Sequence, residues 1–263
     1  MEVKELLSQY YENYDEEGRL VNCRSGQIEF ATTMRYIRKY LRPEAKVLEI
    51  GAGTGRYSLA LADQVHDVTA VELVDHNLDI LRSNIKESMQ IRVFQGNALD
   101  LSMLEDTSFD MTLLLGPMYH LFTEADKLRA MSEAIRVTKP GGILMVAYCI
   151  SDASIIEYGF RGGHLRELVD EGLLNTDTFV TRSDPKELFE LVRKSDIDRM
   201  IAGFPVERLH YVAADGLSYF MRRDLEEMDQ ETFDLFLKYH LTICENPDLV
   251  GATAHSLDVL RKL

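Results

Sequence analysis

Residues 47–55 read Val-Leu-Glu-Ile-Gly-Ala-Gly-Thr-Gly, a short apolar run with one acid inside it, ending in glycines at alternate positions. Such a run predicts a buried strand, Lys46–Ile50, entering a tight turn whose backbone approaches a ligand closely. The next segment, Arg56–Ala62, has helix-compatible composition, which places the turn at a helix N-terminus. Exposed N–H groups and the positive dipole end there suit an anionic or carboxylate-bearing ligand. A dinucleotide site needs G-x-G-x-x-G. Counted from Gly51 and Gly53, the third glycine would fall at Arg56, so that pattern is broken.

The first 150 residues alternate short apolar runs with amphipathic stretches, the pattern of βαβ units around a parallel sheet. Phe30, Met34, Ile37 and Leu41 fall at helical spacing, closed by Pro43. Further strands are expected over Asp67–Leu73, Ile91–Gln95, Phe109–Leu115 and Ile143–Cys149. Helices are expected over Asn77–Met89 and around Leu128, Met131 and Ile135. Beyond Cys149 the rhythm changes. Residues 151–184 carry several glycines and no clear strand, and Pro185–Ala202 reads as a helix. Val206–Ala213 reads as a strand, 218–244 as helical with Phe233, Phe236 and Leu237 in a stripe, and His255–Arg261 as a last strand. We expect one α/β domain over 1–263. It holds a cap at 151–184, after the fifth strand, and a helical insertion at 218–250, between the last two.

A chain of 263 residues suits one such domain better than two. Its net charge of −15 would repel a phosphate backbone, and its basic residues are scattered, so nucleic acid is not expected as a partner. The apolar run Ile143–Ile150 is too short to span a bilayer, and the opening residues lack the layout of a signal peptide. Cys23, Cys149 and Cys244 are odd in number and far apart, which fits reduced thiols and a cytoplasmic protein with no membrane role. His66, His76, His120, His164, His210, His240 and His255 form no metal-binding spacing, and no metal is expected.

Downstream of the glycine turn, Glu72 stands at a strand end about twenty residues past the first glycine, where a carboxylate can accept both hydroxyls of a ribose. Gln95-Gly96-Asn97-Ala98 ends the third strand. Arg136-Val137-Thr138-Lys139-Pro140-Gly141-Gly142 precedes the fifth, its proline and glycines ending a helix and making a turn. With Glu49, Gly51, Gly53 and Gly55 as E-x-G-x-G-x-G, this ordered set resembles the class I S-adenosylmethionine-dependent methyltransferases of small molecules, well over residues 30–150 and more loosely beyond. The resemblance implies a Rossmann-like, seven-stranded, mostly parallel sheet with helices on both faces and one antiparallel strand near the edge. It implies S-adenosylmethionine as cofactor and S-adenosylhomocysteine as product.

By that resemblance Glu49, Gly51, Ala52, Gly53 and Gly55 hold the methionine end of the cofactor, Glu72 its ribose, and Leu73 one face of the adenine. The family usually has Gly-Asp-Ala where this chain has Gly96-Asn97-Ala98. Asn97 can still accept from the adenine amino group, with the charge lost, and Ala98 or Leu99 offers a backbone N–H to the ring. Leu115 and Gly116 offer backbone groups to the methionine amino group. Residues 1–25, which carry Tyr10, Tyr11 and Tyr14, are expected either to fold over the cofactor as a lid, with a tyrosine such as Tyr14 closing the methionine end and Arg19 meeting a carboxylate, or to dock on the sheet as an amphipathic helix. Tyr119 and His120 fall where the methyl meets its acceptor, with His120 either a base or a packing element. Arg161, His164 and Arg166 are acceptor-site candidates by position.

The expected activity is in-line transfer of a methyl group to nitrogen or oxygen of a small molecule. A macromolecular acceptor (RNA or protein) and a non-catalytic cofactor-binding role are the rivals. A homodimer could form through 218–244. No motif names the acceptor.

Overall fold

The computed structural model describes residues 3–64 and 67–263; His66 lies outside them. In chain order the elements are α1 (Val3–Tyr11), α2 (Arg24–Tyr40), β1 (Lys46–Ile50), α3 (Arg56–Ala62), β2 (Asp67–Glu72), α4 (Asp75–Ser83), β3 (Ile91–Gln95) and β4 (Phe109–Leu114). Then come α5 (Glu124–Val137), β5 (Thr138–Ile150), α6 (Ser151–Ser154), α7 (Leu165–Asp170), β6 (Leu191–Val192) and α8 (Lys194–Ile201). The chain ends with β7 (Val206–Ala213), α9 (Arg222–Glu227), α10 (Gln230–Ile243) and β8 (His255–Lys262).

Seven strands form one sheet in the order β3-β2-β1-β4-β5-β8-β7, with β8 antiparallel to both neighbours and the two-residue β6 pairing beside the end of β5. The expected mostly parallel sheet is present, with a short eighth strand added. Successive residues of a strand point to opposite faces. Val47 accordingly joins one buried cluster with Val68, Met111, Leu113 and Met145, while Leu48 and Ile50 join another with Leu114, Leu144 and Val146. Both faces are covered, which is why the central strands are apolar throughout.

The order reverses between β1 and β4, the switch point at whose carboxyl end open α/β sheets bind ligands. Because β8 runs backwards, its first residue, His255, is brought to that same rim, paired with Cys149 of β5.

Several local expectations are corrected. The Lys139-Pro140-Gly141-Gly142 turn lies inside β5 rather than before it, as an irregularity between the pairs Phe109–Thr138 and Met111–Ile143, with Gly141 at φ +74°. The residues around it fasten neighbouring loops. Arg136 donates to the Leu101 and Leu104 carbonyls at 2.9 and 3.0 Å, and Lys139 Nζ donates to Asp110 Oδ1 at 2.8 Å. In α5 the buried face is Ala130, Met131, Ala134 and Ile135, and Leu128 is exposed.

Helix α4 ends at Ser83, short of Met89. The Ser83 hydroxyl bonds back to the Ile80 carbonyl and the Asn84 amide reaches Glu17, side-chain bonds that compete with a further turn. The single helix expected over Pro185–Ala202 is interrupted. Leu188 is left-handed at φ +68°, Leu191 N–H goes to Ser183 Oγ, and Leu191–Val192 pairs with β5 before α8 starts. The 218–244 stretch is broken at extended Met228, after which Asp229 caps α10 through Thr232 N–H at 2.7 Å.

Candidate active site

One cavity of about 1120 Å³ opens at the carboxyl ends of the parallel strands. Its wall carries Tyr14, Glu49, Gly51, Ala52, Gly53, Glu72, Leu73, Asn97, Ala98, Leu99, Leu115, Gly116, Tyr119 and His120. These expected site residues, spread over more than 100 positions of sequence, are therefore brought together. Gly55 is the exception. It precedes α3 at φ +90°, and a Cβ there would lie 2.8 Å from Leu81 Cγ, so it shapes the turn against α4 from behind. Gly51 faces the cavity and also needs to be glycine: it sits at φ +73°, and a Cβ would lie 2.6 Å from Pro117 Cδ.

The anion site expected at the N-terminus of α3 is filled by the chain itself. Glu49 Oε2 accepts from the Ser58 hydroxyl and from Ser58 N–H, the latter at 2.8 Å. Glu72 is also engaged, Oε2 by Gly53 N–H at 2.7 Å and Oε1 by Val74 N–H at 2.8 Å, leaving each oxygen further lone pairs for a ligand. The Asn97 side-chain oxygen accepts from Leu99 N–H at 3.0 Å, so this pair satisfies itself. The backbone donor left to the cavity in that turn is Ala98 N–H, which has no partner among the described residues.

The charges on this half of the wall are unbalanced. Burial pushes the Glu49 carboxyl up to about 8, with the nearby Glu72 and Glu16 adding to the shift against the two Ser58 bonds. Burial also raises Glu72 and Glu16, and Arg19 is the cation that opposes it at Glu16. Arg19 is itself shared: it bonds Glu16 at 3.3 Å and both oxygens of Glu29 at 3.1 Å. The carboxylate expected to meet Arg19 thus comes from its own chain. Two buried acids, Glu49 and Glu72, and the partly buried Glu16, with one shared cation beside them, fit a ligand that brings positive charge, and a sulfonium with an α-ammonium group does so.

The pair expected to do chemistry is rearranged. His120 Nδ1 lies 2.7 Å from the Leu188 carbonyl, an acceptor only, so Nδ1 carries the proton. Nε2 then accepts from the hydroxyl of Tyr11, 3.1 Å away. Burial holds the imidazole below its ordinary value and hence neutral, and raises the Tyr11 phenol, which stays a donor. The left-handed Leu188 is the residue that presents this carbonyl, a strained position against a functional candidate. Tyr119 diverges from its neighbour, its ring 5.9 Å from that of His255.

Arg161, His164 and Arg166 are absent from the cavity wall. Arg161 pairs with Glu157, and His164 stacks on Tyr158 and bonds Glu167. In their place stand Tyr11, Glu16, Glu29, Cys149, Asp215, Tyr219, Arg222 and His255. The only sequence signal for the last four was their place near the end of one strand and the start of another at the ligand-binding rim.

Residues 47–142 match a family model described as a methyltransferase domain. Over 164 residues the chain is 28% identical to a demethylmenaquinone methyltransferase of Bacillus pumilus, covering 60% of this chain and 66% of that protein. The match thus spans just under two thirds of that relative's length. Among solved structures, a SAM-dependent methyltransferase of Methanosarcina mazei superposes with a TM-score of 0.58 at 18% identity, covering 87% of this chain and 97% of its own. Phosphoethanolamine N-methyltransferase 1 of Haemonchus contortus, solved with phosphoethanolamine and S-adenosylhomocysteine, gives 0.61 at 16% identity, over 99% of this chain and 48% of its own. Residues 47–142 of this chain thus match a methyltransferase domain, set in the fold that these methyltransferases share.

Proposed function

We propose that the protein transfers a methyl group from S-adenosylmethionine to nitrogen or oxygen of a small molecule. The observation that carries this reading is that one cavity is walled both by the acidic glycine-loop residues and by the Tyr11–His120 pair. When bound, the cofactor supplies an already activated methyl on a sulfonium. The protein's task is then mainly to align acceptor, methyl carbon and sulfur.

Glu49, Glu72 and Glu16 receive the positive charge, with Glu72 facing the ribose hydroxyls and Leu73 one face of the adenine. Ala98 N–H is the donor offered to the ring, and Leu115 and Gly116 flank the methionine end. Tyr11 and Tyr14 close the cavity from the N-terminal segment, which supports a lid role for it. On the acceptor, the Tyr11 oxygen orients the attacking group, and a proton leaving it passes through the Tyr11 hydroxyl to His120 Nε2.

A concave site and a net charge of −15 favour a small acceptor over a nucleic acid. The likeness to a demethylmenaquinone methyltransferase supports the same class. No helix of the described residues is long and apolar enough to cross a membrane. Calorimetry with S-adenosylhomocysteine is the direct test. Micromolar binding by the folded protein is expected, and no heat at high micromolar ligand would overturn the proposal.

A further inference from the structure

On the wall of the same cavity lies a second charged cluster that the methyl-transfer reading leaves unused, linked to Glu16 through Arg19. Glu29 of α2, Asp215 after β7 and His255 at the start of β8 each offer an atom within 4.8 Å of the others. Their bonds decide what the cluster presents to a ligand. Asp215 Oδ1 accepts from Thr253 Oγ1 at 2.6 Å, Ala254 N–H at 2.9 Å and His255 N–H at 3.1 Å. Its other oxygen, Oδ2, takes His255 Nδ1 at 2.8 Å. Glu29 Oε2 lies 3.6 Å from the same Nδ1, and both Glu29 oxygens accept from Arg19.

Both carboxylates are therefore spent on protein donors. Each acid has a basic partner, His255 for Asp215 and, for Glu29, an Arg19 shared with Glu16. What remains is a donor. Nδ1 of His255 is engaged, while Nε2 has no hydrogen-bond partner among the described residues, and the ring lines the cavity beside Tyr119, Cys149 and Tyr219. The two acids also hold the imidazole well above its ordinary value against burial, so the ring is cationic and Nε2 carries a proton. Arg222, lying over the Tyr219 ring at 4.3 Å and 3.8 Å from Glu157 Oε2, lines the same cavity.

We propose that His255, clamped by Asp215 and Glu29, is an anchor for an anionic oxygen of the acceptor. The acceptor is then a small molecule carrying a phenolate, an enolate or a carboxylate, held by Nε2–H while its nucleophilic atom faces the methyl. This deepens the methyltransferase reading and rests on it. Asp215 acts as a positioning residue: it fixes the imidazole so that one N–H points into the cavity.

The test is calorimetry on the S-adenosylhomocysteine-loaded protein at slightly alkaline pH with matched probes, 4-nitrophenolate against 4-nitroanisole and benzoate against methyl benzoate. A charge-assisted bond should favour the anion of at least one pair by about tenfold. His255→Gln should abolish that preference while leaving S-adenosylhomocysteine affinity unchanged. A preference confined to nitrophenolate assigns a phenolate or enolate, and one confined to benzoate a carboxylate. Equal binding within both pairs, no binding of any probe, or an unaltered preference in the variant would overturn the proposal. Loss of homocysteine-ligand binding by wild type would instead overturn the underlying methyltransferase reading.

Should His255→Gln not fold, the wild-type histidine ¹⁵N spectrum decides. The Nε2 signal of His255 should move with the anionic probe and not with its neutral partner, and a static signal refutes the contact. Cobalt(II) provides the opposing arm. A d–d absorption band that vanishes in Asp215→Asn would make the cluster a metal site and overturn the anchor.

Discussion

The two ends of the cavity are built differently. The donor end comes from consecutive strand ends of one sheet: Glu49 and the glycine turn after β1, Glu72 after β2, Asn97–Leu99 after β3 and Leu115–Gly116 after β4. The acceptor end is assembled from Tyr11 of α1, Glu29 of α2, Leu188 in the stretch before β6, and Asp215 and His255 around the last two strands. At the donor end Glu49, Glu72, Asn97 and Leu115 are each placed by their own strand, with Glu16 added from the N-terminal segment. At the acceptor end each contact joins elements far apart in the chain, such as Tyr11 to His120 and Glu29 to His255. At the donor end Glu49 and Glu72 bond uncharged donors, whereas at the acceptor end Glu29 and Asp215 each bond a basic side chain. The first is thus suited to a fixed cationic cofactor and the second to a variable partner.

If the two ends are separable, variants at one should leave the other intact. The largest effect is expected from His120→Ala, which removes the base and should lower kcat about 10²–10³-fold on any acceptor turned over, with S-adenosylhomocysteine affinity unchanged. A parallel fall in cofactor affinity would break the separation. Glu72→Ala should do the reverse, weakening S-adenosylhomocysteine about a hundredfold by calorimetry through the loss of charge-assisted bonds to the ligand. Normal binding by that variant would remove the ribose assignment. Tyr11→Phe keeps the ring and loses only the hydroxyl that bonds His120. A fall of about tenfold in kcat is expected, again without change in cofactor affinity. An unchanged kcat would make the 3.1 Å bond structural.

The same contrast accounts for what the sequence could disclose. Val47, Leu48 and Ile50 mark β1 because a strand buried on both faces is mainly apolar, with Glu49 the exception, and the glycine turn after it is readable from the sequence. Gly51 and Gly55 look alike in sequence yet serve different neighbours, Pro117 and Leu81, which only the packed structure distinguishes. Glu49 was legible as a site acid but not as the cap of α3, since that depends on Ser58 meeting it. The helix expected over Pro185–Ala202 failed because pairing with β5 outweighed a helical pattern. Tyr11, Asp215 and His255 carried no motif: their role arises from an antiparallel strand and an N-terminal helix arriving at one rim.

The smallest expected effect tests the charge imbalance itself. Burial pushes the Glu49 carboxyl up from 4.5 to about 8, so in the ligand-free protein it is mostly protonated near neutrality. The native state then holds a proton that the unfolded chain has lost throughout the window from 4.5 to about 8. Stability of the ligand-free protein should accordingly fall as pH rises through that window, and Glu49→Gln should flatten the fall in thermal melts. A cationic ligand favours the ionised acid and must expel the proton, so S-adenosylmethionine affinity should rise with pH and level off above about 8. The gain between pH 7 and 8 should be less than about tenfold, since one proton limits the slope to a decade per pH unit. S-adenosylhomocysteine, which lacks the sulfonium charge, should show a shallower rise, and Glu49→Gln none for either ligand. Equal slopes for the two ligands would place the compensating charge on the α-ammonium group. A slope that survives in Glu49→Gln would move the imbalance to Glu72 or Glu16, both of which burial also raises.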